Sequence, residues 1–271
     1  MIPLEDWFFT PRCVFCERIL GAGSAERICP WCHPEEYLLK PPFCPVCGKT
    51  VGKEGDLCRD CFTRRPTVRG RAPYCYDGLI RDALHRLKYD GRRDYARFFG
   101  KLLWEQERAF LEDFAPDALV PVPLHRRRRR ERGYNQAEEL AKALSAASGI
   151  PVRDLLYRGR ATAAQMSLNA LLRGQNTAGA FGVYEGEELP RRILLIDDIY
   201  TTGSTVEACA AAIRAKAAGL REKAAPGGTE APEPEIRFLA VALTLPPQNP
   251  AGNAPDTAAA KSSCLKAPEG L

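Results

Sequence analysis

The stretch that decides the fold spans residues 193–205 and reads ILLIDDIYTTGST. Its four leading aliphatic residues are typical of a strand that is buried on both faces of a parallel sheet. Two adjacent carboxylates, Asp197 and Asp198, come next, and a run of hydroxyl-bearing residues around Gly203 then leads into an alanine-rich segment. The pattern predicts a strand, a tight polar loop and a helix, which is the unit of α/β folds.

The polar loop is predicted to bind a phosphorylated ribose. In open α/β sheets, ligands bind at the carboxyl ends of the strands, where this loop begins. A glycine lets the backbone approach a ligand, and hydroxyls with successive N–H groups at a helix start bind anions. Adjacent carboxylates can accept hydrogen bonds from vicinal hydroxyls. A phosphate on one side and a diol on the other describe ribose 5-phosphate.

Two other interpretations of this loop are weaker. An ordinary strand, turn and helix with serine and threonine capping would explain each pair of residues alone, but the ordered combination DDxxTTGST is more specific. A nucleoside triphosphatase loop requires GxxxxGK[ST], which does not occur in the chain.

The rest of the middle of the chain alternates helical and strand patterns, which indicates βαβ units and a mainly parallel, Rossmann-like sheet. Helices are predicted over residues 79–88, then from a Tyr-Asp-Gly break to about 110, and over 135–147 and 204–217. Strands are predicted over 118–122, 192–196 and 236–243.

Eight of the eleven cysteines lie in the first 61 residues and form four CxxC pairs. Because no basic segment with a long apolar stretch opens the chain, secretion is not expected, and metal ligation is favoured over disulfides or free thiols. Four thiolates form a closed tetrahedral shell, so two structural zinc sites are predicted, with iron as the minor alternative. Sequential pairing of the CxxC units is simplest, and a crossed pairing stays open. The predicted ligands are Cys13, Cys16, Cys29, Cys32, Cys44, Cys47, Cys58 and Cys61.

Four aromatic residues of this cysteine-rich segment have two interpretations. They could stack on nucleobases. In so small a module they are instead expected to form its own small core. The four are Trp31, Tyr37, Phe43 and Phe62.

Five consecutive arginines occupy residues 126–130, after the predicted strand 118–122. Like charges in a row repel one another, so an anionic ligand is expected: pyrophosphate held bidentately, or a nucleic-acid backbone, rather than mere solvation. A second polar stretch, residues 156–181, is predicted to be a lid or binding loop rather than a plain surface loop. The pyrophosphate and lid candidates are His125, Arg126, Arg129, Arg160, Gln165 and Arg173.

Composition divides the chain into three zones. We expect a zinc-binding module over residues 1–68, an α/β domain over 69–246 with a flexible insertion at 218–234, and a disordered tail over 247–271 that has too few large apolar side chains to fold. The longest apolar runs are too short to span a bilayer, so a cytoplasmic protein without membrane insertion is expected. The net charge of +5 does not by itself imply a nucleic-acid partner.

The segment 193–205 resembles the motif with which type I phosphoribosyltransferases bind 5-phosphoribosyl-1-pyrophosphate (PRPP). This resemblance implies that Asp197 and Asp198 bind the ribose 2′ and 3′ hydroxyls. It also implies that Mg²⁺ bridges the pyrophosphate and ribose oxygens. The loop residues implied to bind the 5′-phosphate are Thr201, Thr202, Gly203, Ser204 and Thr205.

Three motifs in order, VPVPLHRRRRRERGYNQAEELA, RATAAQMSLNALLRGQNTAGAF and DDIYTTGST, are similar to those of the ComF/GntX family. The resemblance runs from about residue 10 to 246 and implies a zinc-binding segment before a phosphoribosyltransferase domain, in bacterial proteins linked to competence and DNA uptake. It implies transfer from PRPP to an unknown acceptor. The alternative is a non-catalytic PRPP-fold accessory protein that binds nucleic acid. The implied partners are PRPP and either single-stranded DNA or a DNA-uptake helicase.

No catalytic side chain is assigned. Phosphoribosyl transfer passes through an oxocarbenium-like state, which requires a stabilised leaving group and a positioned nucleophile more than a dedicated general base.

Overall fold

The computed structural model describes residues 11–21, 27–159, 180–223 and 232–245. The strands are β1 (Arg69–Arg71), β2 (Tyr74–Cys75), β3 (Ala118–Pro121), β4 (Leu156–Arg158), β5 (Phe181–Val183), β6 (Arg192–Tyr200) and β7 (Glu235–Leu243). A short 3-10 helix spans Pro34–Tyr37, and the α-helices are α1 (Arg59–Arg64), α2 (Gly78–Tyr89), α3 (Tyr95–Phe114), α4 (Arg126–Arg132), α5 (Gln136–Ser148) and α6 (Ser204–Lys223).

A parallel sheet forms the centre of the molecule. β6 pairs with β7 on one side and with β3 on the other, and β1 and β2 pair one after the other with the far side of β7. β6 is therefore an inner strand, which explains why its four aliphatic residues at 193–196 are fully buried. This architecture confirms the predicted α/β class with a mainly parallel sheet.

The two faces of the sheet are covered by different helices. Leu194 and Ile196 pack with residues of α2, α3 and α5, whereas Ile193 and Leu195 pack with α6. Successive side chains of a strand point to opposite faces, so burial of both faces requires an unbroken aliphatic run. The unbroken aliphatic run at 193–196 therefore predicts a strand that is covered on both faces.

The cysteine-rich segment is divided between these two faces. Cys13 and Cys29 belong to the buried cluster of α2 and α3, and Cys44 and Cys47 to that of α6. A hydrogen bond of 2.8 Å from the Gly70 amide to the Val46 carbonyl joins the second half of the segment to β1. The segment therefore shares its buried contacts with the sheet domain.

This division corrects the expectation that the aromatic residues form a separate small core. Trp31 and Phe62 are 63% and 69% exposed, and Phe43 is half-buried. Tyr37 is buried, but in the cluster shared with α2 and α3. The helices of the large domain supply the apolar contacts that so short a segment would otherwise need from its own aromatic rings.

Each predicted helix and strand is present, but several ends differ. β6 continues to Tyr200 because β7 pairs with it that far, so Asp197 and Asp198 are part of the strand and do not follow it. α6 continues to Lys223, so residues 218–223 of the predicted flexible insertion are helical. The arginine run forms α4 rather than a loop, with the His125 side chain accepting a hydrogen bond from the Arg127 amide as its N-cap.

β4 and β5 form a two-stranded antiparallel sheet that was not predicted. It joins the two ends of the second polar stretch, and the Gly159 amide adds a hydrogen bond of 3.1 Å to the Ala180 carbonyl. The candidates Arg160, Gln165 and Arg173 lie outside the described residues, so their role stays a prediction.

The division into three zones also stays a prediction, since residues 1–10, 224–231 and 246–271 lie outside the described ranges. Within those ranges, no helix has both the length and the apolar character needed to cross a bilayer.

Candidate functional site

Asp197 and Asp198, called the acidic pair below, lie near the carboxyl end of the inner strand β6. β3 ends beside it, because Pro121 is paired with Ile196 and the Val122 amide donates to the Ile196 carbonyl at 2.9 Å. The two carboxylates point to opposite faces of the sheet, as adjacent strand residues do. Asp198 faces α2, and Asp197 faces α6. The two carboxylates therefore lie on opposite faces of the sheet near the carboxyl end of β6.

Burial raises the pKa of the Asp197 carboxyl well above its usual range, and the neighbouring Asp198 carboxylate raises it further. The Asp198 amide donates to Asp197 Oδ1 at 2.9 Å, which favours the charged form and opposes this shift. Asp197 in turn adds to the effect of burial in raising the pKa of the Cys209 thiol on α6. A carboxyl group in such a position gains from a ligand hydroxyl that donates a hydrogen bond to it.

Lys88 is a site residue that sequence reasoning missed. Its Nζ lies 3.1 Å from Asp198 Oδ2, and the two side chains are only 17% and 12% exposed. Lys88 is in the last turn of α2, where a basic residue is ordinarily explained by the helix dipole. No motif distinguishes it in the sequence, and only the packing of α2 on the sheet brings it to Asp198.

The loop after β6 carries the hydroxyls and the glycine turn that are predicted to bind phosphate. Thr201 and Thr202 are exposed, and Gly203 makes the turn at a φ of +79°. A side chain could not replace the glycine hydrogen, because a Cβ there would lie 2.4 Å from the Tyr200 hydroxyl. Thr202 Oγ1 donates to Ser204 Oγ at 3.0 Å, at the point where α6 begins. Hydroxyls and helix-start amides are thus gathered beside the acidic pair.

The arginine helix α4 follows β3. Because β3 is parallel to β6, α4 begins at the same carboxyl-terminal edge of the sheet as Asp197 and Asp198. Arg127 pairs with Glu131 at 2.8 Å and Arg129 with Glu138 at 3.2 Å. Within the described part of the chain, the remaining three arginines of the run have no ion-pair partner, and all three are exposed. The three are Arg126, Arg128 and Arg130.

One contact of Arg132 connects α4 with α2 next to Lys88, and another joins α4 to α5. The Arg132 guanidinium lies 4.5 Å from the centre of the Tyr89 ring, and Tyr89 directly follows Lys88. Arg132 also donates to Gln136 Oε1 at 2.9 Å. Gln136 is buried, and its Nε2 has no hydrogen-bond partner among the described residues. This donor is a second residue that the sequence did not single out. Which arginine contacts a ligand stays a prediction.

The eight predicted metal ligands form two separate groups of four. In each group, the sulfur atoms lie within 4.8 Å of one another. A tetrahedral zinc ion with Zn–S distances of about 2.3 Å separates its ligand sulfurs by about 3.8 Å. The distances of 3.5 Å between the Cys16 and Cys29 sulfurs and 3.6 Å between those of Cys47 and Cys58 fit that requirement.

The grouping confirms sequential pairing of the CxxC units and rules out the crossed one. The helix-side centre consists of Cys13, Cys16, Cys29 and Cys32, and the loop-side centre of Cys44, Cys47, Cys58 and Cys61. Contact with Cys58 raises the pKa of the Cys47 thiol, and a cation between the sulfurs would favour their ionised forms. Both centres fit structural zinc.

Comparison with known proteins supports two zinc-binding units in this segment. The model of a double zinc ribbon domain matches residues 4–62. The chain is 30% identical over 210 residues to Competence protein F of Haemophilus influenzae, an alignment that covers 73% of this chain and 89% of that protein.

Two further relatives are similar over the same extent. Competence protein ComFC of Streptococcus pneumoniae is 34% identical over 195 residues, which cover 71% of this chain and 83% of that protein. DNA utilization protein YhgH of Escherichia coli is 32% identical over 207 residues, which cover 72% of this chain and 86% of that protein. The chain therefore belongs to the ComF family.

Proposed function

We propose that the chain binds PRPP at the carboxyl end of β6 and transfers the phosphoribosyl group of PRPP to an acceptor. We propose further that this activity is part of DNA uptake. The observation that carries this proposal is the position of the Thr-Thr-Gly-Ser loop at the start of α6, separated by two residues from a pair of carboxylates that face opposite sides of the sheet. Thr201 and Thr202 of this loop are exposed. The names of the relatives, competence and DNA utilization proteins, support the link to DNA uptake. A type I phosphoribosyltransferase fold is part of the proposal.

Each part of PRPP has a matching part of the site. The two carboxylates accept hydrogen bonds from the ribose hydroxyls, and the loop amides and hydroxyls bind the 5′-phosphate. Lys88 holds Asp198 in place, and the unpaired arginines of α4 attract the pyrophosphate. In the reaction, the bond from ribose C1′ to the pyrophosphate oxygen breaks, pyrophosphate leaves, and the acceptor forms the new bond to C1′.

Magnesium enters this proposal only with the ligand. Mg²⁺ keeps several waters and prefers substrate phosphates to all-protein cages, so PRPP oxygens would hold it. When bound there, it would neutralise charge on the departing pyrophosphate.

Calorimetric titration with PRPP and magnesium tests the binding step. We expect micromolar affinity for the native chain and no measurable binding when Asp197→Asn and Asp198→Asn are combined. Asp117→Asn is the matched control, because Asp117 bonds to Arg192 at the opposite end of β6. A folded native chain that binds no PRPP would contradict the proposal, as would equal loss in the control.

A second candidate function is that of a non-catalytic accessory protein that binds single-stranded DNA. The specific observation in its favour is the combination of three exposed, unpaired arginines on α4 with the exposed rings of Trp31 and Phe62. Cations that follow a backbone and aromatic rings that stack on bases are the usual components of such sites.

The two candidates predict different measurements. A transferase releases pyrophosphate from PRPP when its acceptor is present, whereas an accessory protein binds DNA without consuming PRPP. For DNA binding, replacing Arg126, Arg128 and Arg130 by alanine should reduce the slope of log affinity against log salt by about 2. The control replaces three exposed basic residues of α3 instead: Arg97, Lys101 and Arg108.

A further inference from the structure

The loop at residues 201–204, which is proposed to bind phosphate and is called the phosphate loop below, lies directly against the loop-side centre. A small cleft between them is lined by the ligands Cys47 and Cys61 and by Arg64 on one side, and by Tyr200, Thr201 and Thr202 on the other. Across this cleft, Arg64 Nη1 donates to the Thr202 carbonyl at 3.4 Å. The zinc-binding segment thus contacts the same residues that are proposed to bind phosphate.

A second connection joins the loop-side centre to α6. Glu207, in the first turn of α6, accepts hydrogen bonds from the Thr67 amide at 2.8 Å, the Thr67 hydroxyl at 2.6 Å and the Val68 amide at 2.8 Å. The Glu207 amide donates to the Gly203 carbonyl at 2.9 Å. The linker that follows α1 is therefore attached to the helix turn on which the loop ends.

Tyr200 forms a third connection. Its ring stacks on Phe238 with the centres 4.2 Å apart and the planes 2° from parallel. It lies in one buried cluster with Cys47 and Cys61, and its hydroxyl occupies the space beside Gly203. Movement of the cysteine ligands would therefore be transmitted through a rigid ring to the turn of the loop.

The helix-side centre has different neighbours. Beside it, Arg86 donates to the Phe15 carbonyl at 3.0 Å, and Arg92 pairs with Glu17 at 3.2 Å. These partners belong to α2 and to the segment before α3. Among the described residues, no hydrogen bond or ion pair links this centre to the loop at 201–204.

We propose that the loop-side centre positions the phosphate loop, with Arg64 as a positioning residue, and that the helix-side centre does not. The physical reason is the length of α1. Cys58 is its N-cap and Cys61 lies in its first turn, so metal at this centre holds a helix of six residues. A helix this short is not stable alone. Loss of the metal would release α1, and with it the contacts of Arg64 and Thr67.

This inference rests on the proposed function, because it assumes that the loop binds phosphate. The first test compares full-length Cys58→Ser with Cys16→Ser, which change the least buried ligand of each centre. Zinc analysis should show that each variant loses one of its two ions. Calorimetry with ribose 5-phosphate should then show affinity about tenfold lower for Cys58→Ser and within about twofold of native for Cys16→Ser. Equal loss in both variants would overturn the inference.

A second set of variants keeps both centres intact. Arg64→Ala and Glu207→Gln should retain two zinc ions and bind ribose 5-phosphate about threefold to tenfold more weakly. Arg64→Lys should recover part of the affinity, because it restores one donor. Arg59→Ala is the control, since Arg59 is exposed on the same helix and makes no hydrogen bond to the loop in the described structure.

Hydrogen exchange separates this inference from the proposed function. Without ligand, the amides of residues 201–204 should exchange faster in Arg64→Ala than in the native chain. In Arg59→Ala, their exchange rates should match those of the native chain. If exchange responds in this way but the native chain binds no ribose 5-phosphate, the coupling stands and the proposed function fails. Unchanged exchange in Arg64→Ala would refute the coupling whatever the chain binds.

Discussion

The two zinc centres have the same four-cysteine ligand set, yet they lie in different parts of the molecule. Their CxxC pairs are separated by 12 residues in the helix-side centre and by 10 in the loop-side centre. The first packs against α2 and α3 on one face of the sheet, and the second against β1 and the start of α6 on the other. The comparison teaches that a ligand motif determines which side chains can hold a metal ion, whereas the packing partners of the centre determine what that ion can influence.

The contacts of the helix-side centre are those of a structural support. The ring of Phe15 packs edge-to-face on Phe98 and Phe99 of α3, and Glu17 joins Arg92, Arg86 and Tyr95. The loop-side centre instead contacts Tyr200 and the loop at 201–204, where phosphate is proposed to bind. Two predictions test this difference directly, and two further ones concern the acidic pair between the two sides.

The largest expected effect is on the helix-side centre. Phe15→Ala removes a fully buried ring and should lower the free energy of unfolding by about 3 to 5 kcal/mol. The affinity for ribose 5-phosphate, measured well below the melting temperature, should stay the same. Phe62→Ala, at a ring that is 69% exposed, is the matched control and should change stability by less than about 0.5 kcal/mol. A loss of affinity in folded Phe15→Ala would erase the distinction between the two centres.

On the loop side, Gly203→Ala should reduce affinity for ribose 5-phosphate by about thirtyfold, because the new Cβ would collide with a Tyr200 hydroxyl that cannot move away. Gly133→Ala is a close control. Gly133 has the same φ of +79° but no atom near its missing Cβ, so it isolates backbone strain from the collision. Equal affinities in the two variants would mean that the turn of the loop is not what binds the ligand.

Lys88→Met tests the contact between the helix side and the acidic pair. It leaves the largely buried Asp198 carboxylate without its ion-pair partner, so the free energy of unfolding should fall by about 2 kcal/mol at pH 7. Urea titration measures the change. The loss should disappear in the Asp198→Asn background, and its persistence there would show that Lys88 acts through another contact.

Asp197→Asn should have the smallest effect, and the size of this effect depends on pH. The folded-state pKa of Asp197 is raised, so the native chain loses stability as pH rises from the unfolded-state value near 4 towards neutrality and above. Asparagine cannot ionise, so the variant should melt at about the native temperature at pH 5 and a few degrees higher at pH 8. A difference that does not change with pH would contradict the shift.

Local patterns were sufficient for much of the fold. The aliphatic run at 193–196 predicted a strand buried on both faces, and apolar periodicity predicted α2 and α5 to within two residues at each end. The prediction ended β6 too early, because the strand continues only where β7 pairs with it. The two-stranded sheet of β4 and β5 was missed for a related reason: three-residue strands carry too little pattern to be recognised.

By itself, the sequence determined the features that depend on neighbours along the chain. These are the CxxC ligand pairs, the aliphatic strand segment at 193–196, and the hydroxyl-rich turn at Gly203. Spacing over a few residues sets which groups a short segment presents, whatever surrounds it.

Only the tertiary structure decided which of these features meet. It placed the two four-cysteine centres on opposite faces of the sheet, brought Lys88 to Asp198 and Arg64 to the loop at 201–204, and left Trp31 and Phe62 exposed. The physical reason is that these contacts join residues far apart in the chain, and their geometry follows from how the helices pack on the sheet rather than from any local pattern.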